Sequence, residues 1–142
     1  MRLIRVEDRD LGAIEAALRD AGLPFDDLRE AGRQFYRGPP GCFVGLEIFG
    51  EDALLRSMVV PATERGKGVG QRMVAALIEC ARAHGICRLW LLTTTAEPFF
   101  TACGFARAER VEAPAPIRGT REHRDLCPAS ATLMTLEIPR GG

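Results

Sequence analysis

The apolar positions of the chain change period several times, and each change predicts an element. Residues 3–6 read as a first strand. Asp8 or Asp10 can cap the helix that follows. In it Leu11, Ile14, Leu18 and Ala21 recur at helical spacing until Gly22 and Pro24 stop it. Residues 26–31 suit another short helical turn. A weak strand over 33–36 leads into the turn Gly38-Pro39-Pro40-Gly41. A stronger strand runs over 42–49, and Gly50-Glu51-Asp52 turns it back. Residues 53–60 are apolar on both faces around Arg56 and Ser57, as a central strand requires. An arginine inside such a strand needs either a carboxylate partner or a polar pocket to face.

The second half begins with a helical face of Val69, Met73, Ala76, Leu77, Cys80 and His84, ended by Gly85. Cys80 and His84 read there as core and helix-end residues, with His84 placed to complement the helix dipole. Residues 88–93 are contiguously apolar and predict a strand buried on both faces. Strand, helix, strand is then a βαβ unit. A short helix over 96–103 tolerates Pro98 in its first turn, and a brief strand follows Gly104-Phe105. Residues 108–130 are rich in Pro and Gly and read as a long loop with a turn of helix over 117–126. A last strand covers 131–138, and 139–142 should fray. With no internal repeat, the chain is expected to form one domain over 1–142.

The most informative stretch begins at Arg56 in the strand at 53–60 and runs into the first turn of the helix at Val69. It becomes glycine-rich at Gly66, Gly68 and Gly70, and Arg56, Arg65, Lys67 and Arg72 outnumber Glu64 within it. A strand, a glycine loop and a helix start together point backbone N–H groups at an anion. Three phosphate loops compete for this pattern. The nucleoside-triphosphate loop needs Gly-Lys-Ser/Thr after a spaced Gly, and no such run exists. The dinucleotide fingerprint needs a third glycine where Gln71 stands, and an acidic residue where the next strand ends in Thr93-Thr94-Thr95. What remains is Arg65-Gly66-Lys67-Gly68-Val69-Gly70, read as a pyrophosphate cradle.

Composition adds exclusions. A hydrophobic fraction of 46% and a charged fraction of 27% are those of a globular protein with a core. The formal net charge of zero gives nucleic-acid binding no electrostatic support. All but one of the 19 basic residues are Arg, the better partner for phosphate and carboxylate. No run reaches the length of a membrane span, and the N-terminus lacks a signal-peptide core. The five cysteines form no C-x-x-C pair, so reduced cytoplasmic thiols are expected.

Arg65-Gly66-Lys67-Gly68-Val69-Gly70 matches the Q/R-x-x-G-x-G/A signature of the GNAT acetyltransferases, and the element order resembles that fold over nearly the whole chain. The resemblance implies an α/β (α+β) architecture: a mixed, mostly antiparallel twisted sheet of six to seven strands and about four helices. The βαβ unit would carry the coenzyme loop. It implies acetyl-coenzyme A as cosubstrate, no metal, and acetylation of an amine. Residues 91–100 and 126–131 resemble the small GNAT proteins encoded in arsenic-resistance operons, which implies a small-molecule acceptor such as an amino-acid-like toxin or an arsenical. Family members often pair, which implies a homodimer.

Carried over by position, Met58, Val59 and Val60 would hold the pantetheine arm through backbone groups. Arg65, Gly66, Lys67, Gly68, Val69, Gly70 and Gln71 would hold the pyrophosphate. A backbone N–H at 58–60 would polarise the thioester carbonyl. Many members have Tyr where this chain has Phe100, and Asn where it has Thr93. Phe100 cannot donate a proton, so the acid stays open among Tyr36, Ser57, Cys103, Cys127 and no side chain at all. Glu47 is the first candidate for the base and Glu97 the second; the ordinary reading of either is a solvated surface carboxylate. Two rival classes remain. One is a non-catalytic acyl-coenzyme A sensor, motivated by Phe100. The other is a thiol-based metalloid binder using Cys103 and Cys127.

Overall fold

The computed structural model of the chain describes residues 1–23, 25, 28–29, 32–120, 123 and 130–139. Seven strands form one mixed, mostly antiparallel sheet. They are β1 (Ile4–Arg5), β2 (Arg33–Arg37), β3 (Phe43–Phe49), β4 (Asp52–Val59), β5 (Arg88–Thr93), β6 (Ala106–Arg107) and β7 (Thr132–Glu137). Their order is β1-β2-β3-β4-β5-β7-β6. The helices are α1 (Leu11–Asp20), α2 (Val69–Ala83), α3 (Glu97–Ala102) and α4 (Ala115–Arg118). This is the expected architecture. The chain also divides into two compact units, Met1–Glu47 with Leu55–Leu77, and Ile48–Leu54 with Ile78–Gly142.

In the first unit, β1 pairs antiparallel with β2, and β2 with β3. Leu11, Ile14 and Leu18 of α1 pack with Leu28 and Phe35 in one apolar cluster. The register of β2 and β3 sets Phe35 opposite Gly45 and Arg33 opposite Glu47. A Cβ at Gly45 would come within 2.7 Å of the Phe35 ring, so the glycine is what lets this aromatic lie flat on β3. Asp10 stands at the N-cap of α1, but its side chain makes no capping bond. The tight turn at Asp8–Asp10 leads directly into α1, and the Asp10 N–H itself donates back to Glu7 O.

In the second unit, β5 pairs parallel with β4 at Asp52–Leu54 and antiparallel with β7 along its whole length. Leu54, Trp90 and Leu133 form a core with Ala113 and Ile117. Those last two come from the connector expected to be a loop. Its described part holds a helical turn at Arg110–Glu112 and α4, slightly earlier than the turn expected over 117–126. Pro116 sits in the first turn of α4, where its fixed φ favours helix and its missing N–H costs nothing. At the end of α2, His84 Nδ1 lies 2.8 Å from Cys80 O. The expected turn at 26–31 and tail at 139–142 fall largely outside the described residues. No helix among the described residues is long and apolar enough to cross a membrane.

Candidate functional site

The site is built on the first unit, where β4 runs out into the glycine loop. Ala53 to Ser57 are buried, while Met58, Val59 and Val60 are only half-buried. The transition falls at Ser57, the one non-glycine residue with positive φ among those described, at 58°. A left-handed residue inside a strand marks a bulge that redirects the backbone after it.

Beyond Val60, Pro61 and a turn at Ala62–Glu64 lead to Arg65. Arg65 Nε donates to Val60 O at 3.0 Å and draws the loop back onto the strand end. Gly66 and Gly68 take φ of 78° and 73°, conformations costly for any residue with a Cβ. A Cβ at either would meet nothing within 4 Å, so the glycines serve the turn and leave the approach open. Arg72 N donates to Gly68 O at 3.2 Å, which makes Gly68 the cap position of α2. Glycine has no side chain to cap with. The opening N–H groups of α2, at Val69, Gly70 and Gln71, therefore combine with the helix dipole as an anion site. Around them Arg65, Lys67 and Arg72 are exposed, with Lys67 Nζ 4.0 Å from Glu64 Oε2. A contact that long and exposed leaves the ammonium largely available to a phosphate.

Behind the bulge lies a buried ionic cluster. Glu47 is 2% exposed and Arg56 3%. Arg56 Nη1 donates to Glu47 Oε1 at 2.5 Å, and Arg56 Nε donates to Ser57 Oγ at 2.9 Å. Arg33 Nη2 lies 3.6 Å from Glu47 Oε2. Of the two partners open to Arg56, the structure supplies the carboxylate. Glu47 is accordingly not the solvated surface carboxylate of the ordinary reading. Arg33, which completes the cluster, was not singled out from sequence; its signal was the strand register that sets it opposite Glu47. Tyr36 is buried, with its hydroxyl donating to Gln34 Oε1 at 2.8 Å.

The remaining candidates belong to the second unit. Thr93 ends β5, and its Oγ1 accepts from Ala96 N at 2.9 Å, shaping the entry to α3. Phe100 is buried edge-to-face against Phe99 and Phe105. Glu97 receives both Arg107 Nε, at 2.5 Å, and Arg107 Nη2, at 2.8 Å. Those hydrogen bonds lower the Glu97 carboxyl below its usual range, with Thr132 adding a further bond. A carboxylate held ionised in this way is a weak proton acceptor. Burial raises the Cys103 thiol. Cys127 lies outside the described residues. In the same connector Arg110 Nη1 donates to His123 O at 2.9 Å, and His123 Nε2 is buried without a partner among the described residues. Burial, then the charge of Arg110, pushes the imidazole below its ordinary value. Among the described residues no cluster of His, Cys, Asp and Glu is arranged to hold a metal.

The acetyltransferase (GNAT) domain family matches the chain over residues 30–107. Among curated proteins no sequence matches. Three solved structures are similar in fold. An N-acetylglutamate synthase from Neisseria gonorrhoeae, in complex with coenzyme A and L-arginine, superposes with a TM-score of 0.75 at 21% identity, over 97% of this chain and 33% of that one. This chain therefore spans about a third of the synthase's length. The ribosomal-protein-S18-alanine N-acetyltransferase of Escherichia coli gives 0.69 at 18% identity, over 99% of this chain and 95% of the other. An aminoglycoside 6'-N-acetyltransferase in complex with coenzyme A gives 0.68 at 14% identity, over the full length of both.

Proposed function

We propose that this chain, which belongs to the GNAT acetyltransferase family, moves the acetyl group of acetyl-coenzyme A directly onto the amine of a small molecule. The observation that carries this reading is the run from the Ser57 bulge through two positive-φ glycines into the start of α2. It offers an open loop, a helix N-terminus and exposed cations, the chemistry a pyrophosphate requires. In this reading Gly66–Gln71 take the pyrophosphate through backbone N–H groups, with Arg65 and Lys67 adding charge. Met58, Val59 and Val60 pair with the pantetheine arm. The family resemblance adds Thr93 and Phe100 as proposed coenzyme-binding positions. One domain over 1–142 is part of the same proposal; the matched family region, residues 30–107, includes residues of both compact units.

The reaction needs a neutral amine, a stabilised tetrahedral oxyanion and a departing thiolate. The amine nitrogen bonds to the carbonyl carbon, the carbon–sulfur bond breaks, and the proton lost from nitrogen balances the thiol formed. A backbone N–H after Ser57 is the proposed oxyanion donor. A thiol has a pKa of about 8.5, so the thiolate leaves without a strong acid at neutral pH, which suits Phe100. Ser57 and Cys127 remain proposals for proton delivery. Glu47 was the first candidate for the base. Its oxygens face Arg56 and Arg33 in the core, so we assign deprotonation to water and give Glu47 the supporting role developed below. Glu97 is tied to Arg107 in a solvent-exposed ion pair.

For the acceptor, the likeness of 91–100 and 126–131 to the arsenic-resistance-operon proteins supports an amino-acid-like toxin or an arsenical. A homodimer follows the family reading, and a cytoplasmic setting follows the reduced thiols expected from the cysteine pattern. The test is mass-spectrometric detection of acetyl transfer across amino acids, amino-acid-like phosphinates and arsenicals, and polyamines. An acetylated product establishes the reaction and its substrate class. Coenzyme binding with no product anywhere in the panel favours the non-catalytic sensor.

A further inference from the structure

We infer that the buried Glu47–Arg56 pair is a positioning device for the bulge: through the Arg56–Ser57 hydrogen bond it holds residue 57 left-handed and so sets the direction of the Met58 and Val59 backbone. The inference rests on the acetyl-transfer reading for its consequence, but its structural half stands apart from it.

Three observations converge. First, Ser57 keeps a φ of 58° in the middle of a strand, where serine gains nothing intrinsically and pays a steric penalty. Glycine would adopt that φ freely, so a serine there needs a use for its side chain. Second, the use is visible: Ser57 Oγ accepts from Arg56 Nε at 2.9 Å, and Ser57 is 7% exposed. Third, Arg56 is itself immobilised. Its Nη1 is held by Glu47 at 2.5 Å, and its guanidinium lies 6.0 Å from the centre of the Phe35 ring. Glu47 in turn faces Arg33 across β2 and β3. An arginine suits this because its fork aims Nε and Nη1 at two different acceptors in fixed geometry; a lysine ammonium would reach one. The cluster ends where the half-buried backbone of the proposed pantetheine and oxyanion contacts begins. Glu47, Arg56 and Arg33 touch no reacting atom. They act through the backbone of β4.

The test is a set of variants read in two ways. By NMR, Arg56→Lys and Ser57→Ala should each shift the Met58 and Val59 amide resonances more than those of Gly66–Gln71. Unmoved Met58 and Val59 amides would overturn the inference whether or not acetyl transfer is found. In the transfer assay, each of these variants should lower kcat by about tenfold or more, the scale of one lost hydrogen bond at the reacting centre. The double variant should lose no more than either single one, because both cut the same link. Coenzyme A binding should weaken by a smaller factor than kcat falls, since the pyrophosphate loop is untouched and only the proposed pantetheine contacts at Met58 and Val59 shift. Ser57→Gly should retain more activity than Ser57→Ala, because glycine keeps access to the left-handed conformation. Additive losses, or alanine outperforming glycine, would overturn it. Glu47→Gln should lower kcat without removing the acidic limb of the pH profile, where a general base loses activity by protonation; loss of that limb would return Glu47 to the role of base.

Discussion

Arg56 donates to Glu47 across a 2.5 Å contact from which water is excluded, the two side chains being 1% and 3% exposed. A buried pair of this kind adds little net stability over an apolar pair of the same shape, because desolvation offsets much of the attraction. Breaking it is another matter, since the surviving charge stays in the core without its main partner.

Glu47→Ala should therefore destabilise the protein by about 3–5 kcal/mol in urea unfolding. The double substitution Glu47→Leu, Arg56→Met should recover much of that loss in the same measurement. A single variant as stable as the parent would mean that water or another carboxylate reaches Arg56.

Gly45→Ala tests how tightly β2 and β3 meet. The added methyl would lie 2.7 Å from two carbons of the Phe35 ring, with Arg56 O at 3.5 Å behind it. Displacing the ring should cost about 1–3 kcal/mol. Pairing Gly45→Ala with Phe35→Leu should cost less than the sum of the two single changes, measured by the same unfolding curves.

His123 carries a pH dependence with a definite sign. Burial and Arg110 depress its imidazole in the folded state, so the unfolded chain binds the proton more readily. Its contribution to stability is complete above the ordinary histidine value of about 6.5 and is lost as pH falls from there toward the lower folded-state value. His123→Asn should flatten the stability profile across that window in thermal unfolding at a series of pH values. A parent profile already flat between pH 7 and 5 would contradict the burial of Nε2.

Much of the fold was legible because contiguous apolar runs and glycine stops leave little freedom. The strand expected over residues 88–93 is β5 itself, and the helix begins at Val69 as its periodicity requires. The pyrophosphate loop was legible because glycines, cations and a helix start sit side by side in sequence. The ionic cluster was not. Glu47 and Arg56 lie on different strands, and Arg33 reaches Glu47 only through the β2–β3 register, which no local pattern specifies. The bulge was hidden too, since a positive φ at serine leaves no compositional mark. The connector looked like a loop because its prolines read as breakers, whereas Pro116 opens α4, and Ala113 and Ile117 tie the segment to the core.

The similar structures carry the names of an N-acetylglutamate synthase, a ribosomal-protein acetyltransferase and an aminoglycoside acetyltransferase. One fold thus serves acceptors of unrelated chemistry, and identification has to come from the panel of amines.

The central claim is that the Gly66–Gln71 loop holds the pyrophosphate of acetyl-coenzyme A. Calorimetric titration with coenzyme A, run on the parent protein and on Gly68→Asp, tests it most directly. The parent should bind one coenzyme per chain. The variant, with a carboxylate beside the phosphates and a side chain strained at φ of 73°, should bind at least about tenfold more weakly, a difference of about 1.4 kcal/mol. Equal affinity in a folded variant, or no binding by the parent, would contradict the claim.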